Sequence, residues 1–61
     1  MSDTASLTPP QCKAGRAILG LTREDLSKRA EVSATTIADF ELGRRMPYER
    51  TLRDIQTALE D

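Results

Sequence analysis

The apolar residues of this chain fall into short groups at three- and four-residue spacing, separated by polar breaks. Leu26 and Ala30 lie four apart, Ile37 and Phe40 three apart, and Leu52, Ile55 and Leu59 follow an i, i+3, i+7 register. That period places each group on one face of a helix. The breaks carry the residues that start and stop helices. Thr8 followed by Pro9 and Pro10 starts one, because a proline in the first turn has no N–H to leave unpaired. "QCKAGRAIL" continues it to Gly20, the residue best suited to a left-handed cap. Gly15 inside that stretch costs roughly 1 kcal/mol against alanine, and we read it as the mark of a close helix contact.

Thr22 caps the next helix, "REDLSKRA", with Asp25 three residues on as a short capping-box acid. Glu31 and Val32 make a tight connection, and Ser33 caps "ATTIADFEL", which Gly43 ends. Beyond the "RRMP" loop, Tyr48 to Glu60 form a last helix. The small polar residues 1–7, "MSDTASL", read as a loose arm before a domain at 8–61. The expected fold is all-α, a compact bundle of four, or at most five, short helices with no room for strands.

Composition narrows the function classes. At 61 residues the chain is a single domain near the lower limit for folding without a metal or disulfide. A chain of this size buries only about 60% of its unfolded surface, so pairing with a second copy would help it. One cysteine, Cys12, excludes an internal disulfide, and the absence of histidine argues against a zinc site. Cys12 is expected in the core as a small hydrophobe, in a reduced, cytoplasmic setting. No apolar run approaches the roughly 20 residues of a membrane span, and Met1–Thr8 is too polar for a signal peptide. With no histidine and no glycine-rich phosphate loop, the usual catalytic combinations are missing. No enzyme activity, cofactor or metal is expected. Ten acids against nine bases give a net charge of −1, which is neutral to slightly unfavourable for a nucleic-acid binder.

Two short helices joined by a few residues have helix-turn-helix geometry. The order of residues is more specific. "LGLTREDLSKRAEVSATTIADFELGRRMPYERTLRDIQTAL" resembles the Cro and lambda-repressor (Xre-type) helix-turn-helix family across residues 12–59. The likeness rests on the Gly-Leu-Thr before the second helix, the Leu26–Ala30 spacing, Val32-Ser33, Ile37 and the run "FELGRRMP".

That resemblance implies a lambda-repressor-like fold that binds double-stranded DNA, its third helix in the major groove and its second across the backbone. The base-facing positions would then be Ala34, Thr35, Ala38 and Asp39. Thr35 can meet a base edge or a thymine methyl, the alanines can approach methyls or merely allow close docking, and Asp39 can accept from cytosine N4. The alternative for Asp39 is a surface charge paired with Arg23 or Arg44. Phosphate contacts would come from Arg23, Ser33, Thr36, Arg44 and Arg45. The resemblance also implies a structural ion pair between Arg16 and Glu41, and Lys28 and Arg29 would face solvent or flank the DNA. Leu42 departs from the pattern, standing where relatives often carry a polar phosphate contact. The chain is expected to stop after one helix beyond the reading unit, with no room for a ligand-sensing module.

The leading expectation is a transcriptional regulator, a repressor acting as a homodimer on a two-fold operator, with Leu42, Met46 and Tyr48 and the outer side of the last helix as candidate dimer surface. Activation through an acidic patch of Glu24, Asp25 and Glu31 is a variant of it. The competing expectation is a protein-interaction module on the same fold, anti-activator or antitoxin-like, with a protein partner on the Leu42, Met46 and Tyr48 surface or on the last helix and the third helix idle.

Overall fold

The computed structural model describes residues 7–60. Among them are α1 (Pro9–Leu19), α2 (Arg23–Ala30), α3 (Ala34–Glu41) and α4 (Glu49–Glu60), and no strand.

Local chemistry sets the helix ends. The Thr8 hydroxyl accepts from the Gln11 N–H at 3.3 Å, and the Gln11 side chain accepts from the Thr8 N–H at 2.9 Å. This reciprocal box satisfies two donors that the first turn would otherwise leave unpaired. Thr22 and Asp25 repeat the arrangement at α2, at 2.9 and 3.1 Å. Ser33 accepts from the Thr36 N–H at 3.0 Å to start α3. Gly20 closes α1 with φ +71°, and Leu21 N–H reaches back to the Arg16 carbonyl at 2.8 Å. The end of α2 is less expected. Glu31 takes the same left-handed conformation, φ 58°, without being glycine or asparagine. Tyr48 precedes α4 instead of belonging to it, its carbonyl accepting from Leu52 N–H at 3.0 Å.

Both α1 and α2 pack against α3 and α4, α2 lying next to α3. Cys12, Leu26, Ala30, Ile37, Phe40, Leu52, Ile55 and Ala58 form the core, with Leu7, Val32 and Leu59 partly buried against it. The register of α4 differs from the expected one. Ala58, one position earlier, takes the third core place, and Leu59 flanks it. Leu59 packs over Gly15, where an added Cβ would lie 3.3 Å from a Leu59 methyl, so the close helix contact expected at Gly15 is with α4. Leu7, expected in the arm, is partly buried with its apolar side chain against the edge of the core. The remainder of the arm, residues 1–6, lies outside the described residues.

Candidate nucleic-acid interface

Burial of Ile37 and Phe40 fixes the rotation of α3 about its axis. Thr35 is then exposed, while Ala34, Ala38 and Asp39 are half-buried along the flank. Offsets of one, four and five residues from Ala34 keep these side chains on one strip of the helix. The strip is small and nearly uncharged apart from Asp39. Among the described residues, no ion pair involves Asp39: Arg23 is engaged elsewhere, and the Arg44 N–H bonds to the Asp39 backbone carbonyl at 2.8 Å.

The residues expected at phosphates have different surroundings. Ser33 and Thr36 sit at the start of α3, their hydroxyls 2.8 Å apart, so each already has one partner. Arg44 and Arg45 are exposed beyond Gly43. Thr36 and Arg45 line an open cleft of about 360 Å³ together with Met46, Pro47, Tyr48 and Thr51. Residues expected to contact phosphate and residues expected at a dimer surface therefore share one concavity between α3 and α4. Leu42 is 53% exposed, Met46 68% and Tyr48 86%.

Arg23 belongs to a cluster centred on Glu41, whose side chain is fully buried at the end of α3. Arg16 grips it with two parallel bonds, Nε to Oε2 at 2.7 Å and Nη2 to Oε1 at 2.8 Å, and its Nη1 donates to the Leu21 carbonyl at 3.0 Å. Nε of Arg23 donates to Oε1 at 3.0 Å. The Cys12 thiol donates to Oε2 at 3.1 Å. The carboxylate thus ties α1 to the end of α3 through Arg16 and Cys12, and ties α2 to it through Arg23. Burial pushes the Cys12 thiol up to about 12, reinforced by the carboxylate it donates to, so it stays a neutral donor. For Glu41, burial alone would favour the acid. Hydrogen bonds from Arg16, Cys12 and Arg23 outweigh it and hold the carboxyl down at about 2.

Sequence reasoning places Cys12 in the core and associates Arg16 with Glu41. It does not find the thiol's bond to Glu41 or the second arginine on it. These contacts join residues 29 and 18 positions apart, and no local spacing signals them.

Two eight-residue helices, α2 and α3, joined by residues 31–33 and locked at a defined angle by this cluster, define a helix-turn-helix unit. The family model of the helix-turn-helix domain matches residues 13–61, and the chain belongs to that family, consistent with the Xre-type likeness. No match to a curated protein was found.

Proposed function

We propose that this protein is a sequence-specific regulator of transcription that binds double-stranded DNA. The observation that carries this reading is the pose of α3. Its apolar side is consumed by the core, its far end is anchored through Glu41, and the Ala34–Thr35–Ala38–Asp39 strip is left for a partner. Small side chains on that strip let the helix backbone approach base edges closely. Thr35 then meets a base edge or a thymine methyl, and Asp39 accepts from a cytosine amino group. Ser33, Thr36, Arg44 and Arg45 contact the flanking phosphates, with Arg23 on the neighbouring helix. The simplest mode of action is a repressor in the cytoplasm, occupying a two-fold operator as a homodimer with half-sites about 34 Å apart. It requires no cofactor and no catalytic residue.

One observation favours a second reading. Leu42, Met46 and Tyr48 are exposed together with Ile18, which is 83% exposed, and Leu19. That is considerable apolar surface for so small a domain, and it suits a protein partner on the same scaffold.

The salt dependence of binding to a short mixed-sequence duplex separates the two. Neutralising several phosphates gives a linear fall of log affinity with log salt, at a slope of several units. A flat response, or no binding at low salt, would leave the protein-partner reading standing instead.

A further inference from the structure

The two arginines on Glu41 are used differently. Arg16 engages Nε, Nη1 and Nη2 within the protein, and its side chain is 17% exposed. Arg23 engages Nε alone, and its side chain is 38% exposed. Among the described residues, neither Nη1 nor Nη2 of Arg23 has a hydrogen-bond partner. Two guanidiniums, one carboxylate and a neutral thiol sum to one positive charge. The arginine with spare donors and solvent access is the one through which that charge is presented.

An unrestrained arginine loses considerable rotamer freedom when it grips an anion. Here the planar group is already held at Nε, so its outer edge is a fixed pair of donors suited to two oxygens. Arg23 also opens α2, the helix that crosses the backbone in this geometry. Its acidic neighbour Asp25 is occupied by the Thr22 cap, which leaves Glu24 as the free acid of that turn.

We propose that Glu41 is a positioning residue for DNA: it holds Arg23 through Nε so that Nη1 and Nη2 form a preset fork for one backbone phosphodiester. This rests on the DNA-binding reading above. It goes further by making the buried carboxylate an aid to the phosphate contact, not a competitor for the arginine.

The test follows the Arg23 Nε–H resonance of the isotope-labelled full chain, free and bound to a short duplex, alongside affinities of variants. The resonance should be resolved and slow to exchange in the free protein, and should stay so on binding while the Nη groups respond. Loss of that protection in the complex would mean that arginine leaves Glu41 to reach DNA, and would overturn the proposal. Arg23→Lys keeps the charge but has no second nitrogen to bond Glu41 while presenting a fork. It should bind about tenfold more weakly with an unchanged salt slope, and equal affinity would overturn the proposal. Glu41→Gln, assayed where circular dichroism shows it folded, should weaken binding in the Arg23 background and have no effect beside Arg23→Ala. Tighter binding by Glu41→Gln would show competition and overturn the idea. If that variant does not fold, the resonance and Arg23→Lys still decide. A wild-type chain that binds no duplex defeats the DNA reading and this inference together. One that binds while Arg23→Lys matches it defeats this inference alone.

Discussion

Glu41 is the residue on which most of the molecule converges, and its chemistry makes stability depend on pH with a definite sign. Its carboxyl sits at about 2 in the folded protein against an ordinary 4.5, because the arginine and thiol donors outweigh burial. A depressed folded value contributes stability that is whole above the unfolded value and is lost as pH falls towards the folded one. The shift corresponds to roughly 3 kcal/mol, a large share for so small a domain. Asp25, lowered by the Thr22 N–H, adds a smaller loss in the same direction. Urea unfolding midpoints should therefore be level from neutral pH to about 5 and fall steeply below about 4. A midpoint unchanged down to about pH 3 would contradict the ion cluster. Cys12 offers a second check at this scale. Fully buried and held as a neutral thiol, it should react with thiol reagents only as fast as the protein opens. Rapid labelling of the folded chain would contradict its bond to Glu41.

At the scale of elements, the legible features are those set by neighbours along the chain. Thr8, Thr22 and Ser33 each bond to the turn they precede, and Gly20 and Gly43 both take left-handed conformations. Local composition announces these ends. Glu31 is different: tertiary packing of α2 on α3 demands a left-handed residue where the sequence supplies none of the usual types, so composition gives no warning. Glu31→Gly should raise stability by about 1 kcal/mol, because the strain falls on Cβ. Ser33→Ala should lower it by about 1 kcal/mol through loss of the α3 cap. Thermal unfolding of the two variants checks both signs, and a destabilised Glu31→Gly would contradict the assigned backbone. The α4 register shows a second limit. Periodicity alone does not distinguish Ala58 from Leu59 as the core residue. Both face the bundle, Ala58 buried in the core and Leu59 packed over Gly15 of α1.

At the scale of the whole molecule, fold and candidate site were legible to different extents. The bundle follows from helix spacing and caps, and the family resemblance places Arg16 beside Glu41. The sequence does not reveal that Arg23 shares this carboxylate, nor that Thr36 and Arg45 line one cleft with Met46 and Tyr48. Both depend on the angle between helices.

In the proposed complex the Ala34–Thr35–Ala38–Asp39 strip of α3 reads base sequence. Selection of bound duplexes from a random pool, repeated with Asp39→Ala, tests it most directly. The wild type should recover a two-fold sequence with half-sites about one helical turn apart. Asp39→Ala should relax one position in each half-site while the rest of the motif is retained. A pool that yields no enriched sequence, or a motif unchanged by Asp39→Ala and by Thr35→Ala alike, would contradict it.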